Sequence, residues 1–515
     1  MIGHAHRRAL AAFSGLAVVS LVVAGRYEGA TEAQMRAASA SVLQYHKHPT
    51  RDGHYVDATF SRANAARLQR DPSFHARLHG PTYAHPLFWA ASNPSEKDLL
   101  FVATEQNDVY ALDASTGTVV WHRSVGQPVP RRDLPCGNID PLGITGTPVV
   151  DPASRTLVVA AMTTADAGTR KAHLIAALSI DDGSMRAGWP VDVSRIRAGS
   201  LPFTAATQNQ RGALALLNGV VYVPYGGHFG DCGDYHGWVV GVSMTNPAST
   251  SAWRTRAKGG GIWAPGGIAS DGKSIYVVTG NTFGVSTWSD GEAIIRLRAG
   301  PTFTQQPADF FTPADWLTLD STDRDLGGSG PLLIHVAGAT PSRLIVALGK
   351  DGQAYLVDQA RMGGIGGAVA KQRVSRTSLI NAAAAYPTAQ GTYVVFEGRG
   401  IGCPRGQAAS LTAFKISATS PPTVRVAWCA DQHGAGSPIA TTIDGRSDAI
   451  VWSVGAEGDN RLRGFDGDTG QVVFDGGGSE DVMSFVRRFQ TPIVAKGRIF
   501  VAGDSELYAF RTQQH

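Results

Sequence analysis

A short unit recurs along the chain, and this repetition constrains the fold more than any other feature. Its clearest copy is FVATEQNDVYALDASTGTVVW at 101–121: an apolar strand, a polar turn, an alternating strand, a second turn and a third strand ending in tryptophan. Gly117 stands in the second turn, where glycine adopts a positive φ without steric cost. Such a unit cannot bury its own faces, so it requires copies beside it.

The copies continue to the end of the chain. IFVAGDSELYAF at 499–510 matches the start of the unit almost residue by residue, and 450–474 repeats its turns. Another copy lies at 344–358, and looser copies lie at 157–180, 220–244, 275–297 and 393–416. A strand marked by Gly or Pro precedes each of them. Eight copies spaced by about 40 to 65 residues predict an all-β, eight-bladed β-propeller. Seven blades are the alternative if the end repeats merge.

Composition agrees with a propeller and narrows the function classes. The 61 glycines and only 17% charged residues suit many tight turns and half-buried strands. A net charge of +4 over 515 residues, without a dense basic run, predicts no nucleic-acid partner. The sequence contains no serine nucleophile elbow, P-loop or HExxH motif, so hydrolase and nucleotide-binding functions have no support.

The N-terminal part predicts export. Residues 1–30 are interpreted as a signal peptide or membrane anchor, since Arg7 and Arg8 precede an uncharged apolar stretch at 9–25. The length of this stretch leaves both cleavage and membrane attachment open. We therefore expect an extracytoplasmic protein that is secreted, periplasmic or held at the outer side of the cytoplasmic membrane.

The remaining chain divides into two predicted regions. Residues 31–78 form an N-terminal extension, and residues 79–515 form the propeller. The last repeat ends without an outer strand of its own. The alternating stretch HYVDATF at 54–60, or residues near it, is predicted to supply that strand and close the ring, which removes exposed sheet edges.

The four cysteines are consistent with export. Their number is even and they form no C-x-x-C, which favours disulfides over a metal or redox motif. All four fall in loops of one propeller face. The hypothesis is that Cys403 pairs with Cys429 within a blade and that Cys136 pairs with Cys232 across neighbouring blades.

One loop, YGGHFGDCGDYHGW at 225–238, concentrates chemically active side chains. His228, Asp231, Asp234 and His236 have H-x₂-D and D-x-H spacings that let imidazoles and carboxylates converge on a transition metal. The alternative is a glycine-rich, disulfide-pinned loop whose polar residues cap strands and contact solvent. The second interpretation is favoured.

The TPVV strand, VYALDASTGTVVW and their copies closely resemble the repeats of quinoprotein (PQQ-type) propellers over roughly residues 80–510. That family includes PQQ-dependent alcohol and glucose dehydrogenases and non-enzymatic relatives such as the outer-membrane assembly propeller. The resemblance implies the fold. For function it leaves both a PQQ- and calcium-dependent catalyst and a non-catalytic propeller open.

Four residues match the family's functional positions. The resemblance implies that Asn281 of TGN holds a calcium ion, that Lys350 contacts the quinone oxygens and that Trp263 is an aromatic platform. Asp323 or, as the better match, Asp325 would be the catalytic base. The alternative is that TGN and GKDG are turns and that Trp263 packs between blades.

Departures from the family decide the prediction. Where the family has a glutamate calcium ligand, this chain has Gly226-Gly227-His228, and the adjacent-cysteine pair is absent because Gly137 follows Cys136. We therefore predict a non-catalytic binding or scaffolding propeller whose disulfide-bearing face takes a small molecule or a protein. The alternative is a divergent PQQ-dependent alcohol or sugar dehydrogenase.

Overall fold

The structure, a computed structural model, describes residues 31–407 and 410–512. The predicted signal or anchor at 1–30, with its apolar stretch 9–25, lies outside these residues. Among the residues described, no helix is long and apolar enough to cross a membrane. The α-helices are Glu32–Ala40, Arg62–Ala65 and Trp316–Ser321. Single 3₁₀ turns occur at Arg131–Asp133, Asp166–Gly168, Val193–Arg195, Leu326–Gly328 and Ser479–Asp481.

Eight β-sheets stand in a ring, which confirms the predicted eight-bladed propeller. Strands are given from the channel outwards. Blade 1 contains Leu87–Trp89, Leu99–Ala103, Asp108–Asp113 and Val119–Ser124. Blade 2 contains Val149–Asp151, Thr156–Ala165, Arg170–Ser179 and Val191–Asp192. Blade 3 contains Ala215–Leu217, Val220–Gly227, Trp238–Ser243 and Thr250–Arg254, with Gln208–Asn209 paired to its second strand. Blade 4 contains Ala269–Ser270, Ile275–Val278, Ile294–Leu297 and Phe310–Thr312, with Gly364–Ile365 added in parallel.

The second half of the ring repeats this order. Blade 5 contains Leu332–His335, Arg343–Leu348, Gln353–Asp358 and Ala370–Arg373. Blade 6 contains Ala384–Thr388, Gly391–Glu397, Leu411–Ile416 and Val424–Ala430. Blade 7 contains Ile439–Thr442, Ile450–Val454, Leu462–Asp466 and Val472–Phe474. Blade 8 contains Ile493–Ala495, Arg498–Ala502 and Glu506–Thr512. A separate hairpin pairs Arg197–Ala198 with Leu201–Pro202.

The tryptophan that ends the repeat joins one blade to the next. Trp121 of blade 1 is buried against apolar residues of blade 2, and its Nε1 donates to the carbonyl of Ile180 at 2.9 Å. Trp428 of blade 6 donates in the same way to Gly467 of blade 7 at 2.8 Å. Gly470 has φ +73°, and a Cβ there would lie 2.6 Å from the Trp428 ring. The TG turn therefore needs glycine because the neighbouring indole packs against it.

The N-terminal extension completes blade 8. Leu68–Arg70 pairs antiparallel with Glu506–Thr512 as the outer strand. The stretch 54–60 forms a strand at His54–Val56, but that strand pairs in parallel with the inner strand of blade 7. Buried Asp71 contacts Arg498 at 3.1 Å and Arg511 at 3.3 Å, so an ion-pair cluster holds the N-terminal extension against blade 8.

Residues 42–54, called here the axial strap, line the central channel on the inner strands. Its backbone bonds to the inner strands of six blades, through Phe88, Val150, Ser270, Leu333, Ala385 and Ala440. Within the strap, the Arg51 guanidinium donates to the carbonyl of Leu214, next to blade 3, at 2.8 Å. His46 reaches Thr491, next to blade 8, at 3.5 Å. The strap therefore touches every blade.

We call the face with the loops between second and third strands, and those leaving fourth strands, the upper face. All four cysteines lie there, and the structure joins them in the expected pairs. Cys403 bonds to Cys429 within blade 6. Cys136, in the loop from blade 1 to blade 2, bonds to Cys232 in a loop of blade 3.

Candidate functional site

Three of the sequence-predicted residues meet on the upper face. Trp263 lies in the loop entering blade 4, Asp325 in the loop entering blade 5, and Lys350 in the turn between two strands of blade 5. The Trp263 indole donates to Asp325 Oδ2 at 3.1 Å, and Lys350 Nζ lies 3.0 Å from the same oxygen. Lys350 Nζ is also 5.2 Å from the centre of the Trp263 ring. We call these residues the Trp–Asp–Lys cluster.

Asp323 contributes a second, different carboxylate. Its Oδ1 accepts from Lys350 Nζ at 2.8 Å, but its side chain is 69% exposed, whereas that of Asp325 is 3% exposed. Desolvation raises the pKa of Asp325, and the charge of Lys350 only partly opposes this effect. Burial lowers the pKa of Lys350, but Asp325 and Asp323 raise it above its ordinary value overall.

The TGN sequence contributes more than a turn. A Cβ on Gly280 would lie 3.0 Å from Trp263 Nε1 and 3.3 Å from the carboxyl carbon of Asp325. Glycine at this position therefore lets the Trp–Asp pair approach the strand of blade 4. Asn281, the next residue, is 7% exposed, and its carbonyl accepts from Gly260 at 2.7 Å.

Glu292 is a buried carboxylate that the sequence analysis did not single out. Its Oε2 accepts from the backbone N–H of Leu326 at 2.6 Å, directly after Asp325. Desolvation and the charge of Asp325 raise its pKa well above the ordinary value. In the part of the chain described, neither Glu292 Oε1 nor Asp325 Oδ1 has a hydrogen-bond partner. The only sequence signal was an acidic residue at the start of the apolar run EAIIRL.

The imidazoles of the 225–238 loop face the protein backbone. His228 is 2% exposed, and its Nε2 donates to the carbonyl of Ala206 at 3.1 Å. Burial lowers the pKa of His228 to about 4, so the ring is neutral at neutral pH. His236 Nδ1 lies 3.1 Å from the carbonyl of Thr255.

The carboxylates of this loop have other surroundings. Asp231 accepts a 2.5 Å hydrogen bond from the hydroxyl of Tyr235, and Asp234 is exposed. Across residues 31–407 and 410–512, no group of three or more His, Cys, Asp and Glu side chains is arranged to hold a metal ion.

The residues present fit only part of what the resemblance implies, which is a calcium ion and a quinone. Asn281 is an oxygen donor that the resemblance implies, and the Asp325 carboxylate lies beside the preceding Gly280. The third position is His228, a nitrogen ligand turned to a carbonyl, and calcium requires hard oxygen ligands. The set therefore does not complete a calcium site. A half-buried indole beneath the Lys350 ammonium does fit a flat acidic ring.

The eight-bladed ring has the fold of the quinoprotein-type β-propellers that the repeats resemble. The sequence pattern of the family "Outer membrane protein assembly factor BamB" matches residues 57–189. These residues include the ring-closing strand, blade 1 and most of blade 2.

Solved structures show the same fold over nearly the whole chain. The quinohemoprotein alcohol dehydrogenase from Comamonas testosteroni has a TM-score of 0.61 and 13% identity, covering 94% of this chain and 83% of that chain. A second quinohemoprotein alcohol dehydrogenase, from Pseudomonas putida HK5, has a TM-score of 0.61 and 12% identity, covering 94% of this chain and 82% of that chain. A europium-containing methanol dehydrogenase has a TM-score of 0.60 and 14% identity, covering 93% of this chain and 99% of that chain. At such identities the likeness shows the fold alone. No curated protein sequence matches the chain.

Proposed function

We propose that the protein is an exported, non-catalytic binding propeller, and that its upper face takes a small planar acid. The observation that carries this proposal is the Trp–Asp–Lys cluster, in which an ammonium lies 5.2 Å from the centre of an indole. An aromatic acid can stack on Trp263 while its carboxylate bonds to Lys350. Asp323 is 69% exposed and can rotate away from Lys350 as the acid enters.

The donor set favours binding without catalysis. A quinone dehydrogenase of the family's type uses a divalent cation beside the quinone. Here the third donor position is the neutral His228, which already bonds to a backbone carbonyl. Export is supported by two disulfides, which persist in oxidising compartments, and by the signal or anchor predicted at 1–30.

The test uses PQQ as the probe acid. Calorimetric titration with PQQ should give saturable binding with and without calcium, and dye reduction with alcohols and aldose sugars should stay at background. Trp263→Ala and Lys350→Met should each weaken binding at least tenfold. Trp288→Ala is the control. Trp288 lies in an upper-face loop outside the cluster, and its ring stacks on Phe310. Absence of PQQ binding, or equal binding by all variants, contradicts the proposal.

A second candidate function is a divergent PQQ-dependent dehydrogenase, with Asp325 or Asp323 as proton acceptor. One observation favours it: Asp325 is a buried carboxylate of raised pKa beside a lysine, an environment typical of general bases. PQQ supplies hydride-accepting chemistry when bound. Calcium-dependent dye reduction that Asp325→Asn abolishes and Asp323→Asn retains would establish this function in place of the first.

A further inference from the structure

A small space, called here the neck, lies between the axial strap and the loops that enter several blades, and its lining does not include Trp263. The neck encloses a space of about 10 Å³, lined among others by Tyr83, Thr145, Arg211 and Phe489. Such a space admits one water molecule or one group of similar size. Tyr45 of the axial strap lies against the same space.

Arg211 differs from the two other arginines near the neck, which each bond closely to a carboxylate. Arg487 bonds to Asp504 at 2.5 Å, and Arg488 bonds to Glu457 at 2.5 Å. Glu105 is the carboxylate whose charge acts on Arg211, and within the described residues the buried Nε of Arg211 has no hydrogen-bond partner. Its guanidinium carbon is 5.8 Å from the centre of the Phe489 ring.

A second group in the neck lacks a close partner. Thr145 is 3% exposed and lines the space, and its hydroxyl makes no close hydrogen bond in the part of the chain described, although it faces the Glu105 carboxyl group and lowers the pKa of Glu105. A buried hydroxyl and a buried guanidinium N–H that lack close partners each cost free energy unless a ligand or water satisfies them. Both groups donate hydrogen bonds, so an anion satisfies both at once.

We propose that the neck is an anion-binding site in which Arg211 and Thr145 hold one small anion. The anion is either free or the carboxylate of an acid that enters from the upper face. Because the space admits about one water-sized group, only a small anion such as chloride, or one carboxylate oxygen of an acid, can reach Arg211 there. This site shares no side chain with the Trp–Asp–Lys cluster, so the anion-site proposal does not depend on a planar acid binding at that cluster.

Glu105 modulates the charge that this anion meets. Glu105 is fully buried, and its Oε2 accepts from the backbone of Gly143 at 2.7 Å. Tyr83, Arg211 and Arg487 are the titratable groups around it. Burial raises the pKa of Glu105 to about 7, so it becomes anionic above neutral pH and competes with the bound anion for Arg211. Anion affinity should therefore fall between pH 6 and pH 8.

The test titrates the purified full-length protein with chloride, formate and acetate at constant ionic strength, with a bulky sulfonate as the background anion. Calorimetry should detect saturable binding of at least one probe, weakened tenfold or more in Arg211→Gln. Arg488→Gln is the matched control and should bind as the unchanged protein does. Arg211→Lys, which keeps the charge, covers the case in which Arg211→Gln does not fold, and should bind more weakly without losing the site.

The outcomes separate the two sources of the anion. Saturable binding of chloride or formate identifies a free anion. If only PQQ binds, and Arg211→Gln weakens it tenfold while the protein stays folded, the occupant is a ligand carboxylate. Absence of binding by every probe, or equal binding in Arg211→Gln, overturns the inference. Trp263→Ala keeps the two sites apart, since it should abolish PQQ stacking and leave formate binding unchanged.

Discussion

Asp325 shows how one buried carboxylate organises the upper face. Its Oδ2 accepts from an indole and an ammonium, while its Oδ1 faces no partner among the described residues. Removing one partner of a buried ion pair costs more than the pair itself contributes, because the remaining charge stays desolvated. The stability of this region therefore depends on Lys350 more than on the exposed Asp323.

This difference gives a first prediction. Lys350→Met should lower the free energy of unfolding by about 3 kcal/mol, because Asp325 then keeps only the Trp263 N–H. Asp323→Asn should cost less than about 1 kcal/mol, since Asp323 is mostly exposed. Urea denaturation at pH 7 measures both. If the two variants lose equal unfolding free energy, the buried Asp325–Lys350 pair contributes no more to stability than the exposed Asp323.

Glu105 gives a second prediction at this scale, through pH. Its pKa is raised from 4.5 to about 7 by burial, so it stabilises the fold while protonated and this stability is lost as pH rises through about 7. The protein should lose about 2–3 kcal/mol between pH 5 and pH 8 from this group. Glu105→Gln should abolish that loss and be the more stable variant at pH 8. If the unchanged protein and Glu105→Gln lose the same amount of stability between pH 5 and pH 8 in urea denaturation, the prediction is wrong.

The sequence predicted some of these residues and not others, for a physical reason. Asn281 and Lys350 stand in turns directly after strands, so their place on one face follows from the repeat. Glu292 and Arg211 become informative only through their neighbours: Glu292 lies beside Asp325, and Arg211 beside Phe489 of a distant blade. No local pattern records such contacts, and no pattern records the lack of a partner.

At the scale of elements, the blades were predictable and the axial strap was not. Blades follow from alternation, turn residues and a terminal tryptophan, which are local features. The strap sequence, VLQYHKHPTRDGH, has no periodicity, and its backbone partners belong to strands spread around the whole ring. Alternation at 54–60 predicted a strand correctly. Its partner in blade 7 could not be inferred, because alternation specifies faces and not neighbours.

The strap also carries a third prediction. His46 is buried beside Tyr45, and burial lowers the pKa of His46 to about 4. The pKa of His85, 5.2 Å from Tyr45, is lowered well below its ordinary value for the same reason. Stability from such groups is present above pH 6.5 and is lost as pH falls towards the folded pKa. His46 alone should account for a loss of about 2 kcal/mol between pH 7 and pH 5.

His85→Phe tests this account with little loss of contacts. The ring nitrogens of His85 bond to no side chain in the described residues, so phenylalanine removes the titration at little cost in hydrogen bonds. The variant should lose less stability than the unchanged protein between pH 7 and pH 5, as measured by urea midpoints. His335→Asn, at an exposed histidine of blade 5, is the control and should follow the unchanged protein. An identical acid response in all three proteins would rule out a role for His85.

At the scale of the whole molecule, the two disulfides differ in how much chain they enclose. Cys136 and Cys232 are 96 residues apart, and Cys403 and Cys429 are 26 apart. A longer enclosed loop removes more entropy from the unfolded chain, and the two should differ by about 1 kcal/mol. Even cysteine count and loop placement allowed the pairs to be predicted, since both bonds lie on one face.

The fourth prediction follows from this difference. Replacing Cys136 and Cys232 by serine should destabilise the protein by about 1 kcal/mol more than replacing Cys403 and Cys429. Each double variant should lose about 2–5 kcal/mol in guanidinium denaturation relative to the oxidised protein. With reductant present throughout, the three proteins should unfold at similar denaturant concentrations. A larger loss from the shorter loop would mean that local packing outweighs chain entropy.

The axial strap changes how the ring can come apart. In a repeat protein whose units touch only their neighbours, stability is a sum of local terms, and one unit can detach while the others remain. Here a single segment bonds to the inner strand of one blade after another around the channel. Asp71 of the N-terminal extension also pairs with Arg498 of blade 8. Non-adjacent blades are thereby coupled through a common hub. We therefore expect the eight blades to unfold together in one cooperative transition rather than one at a time.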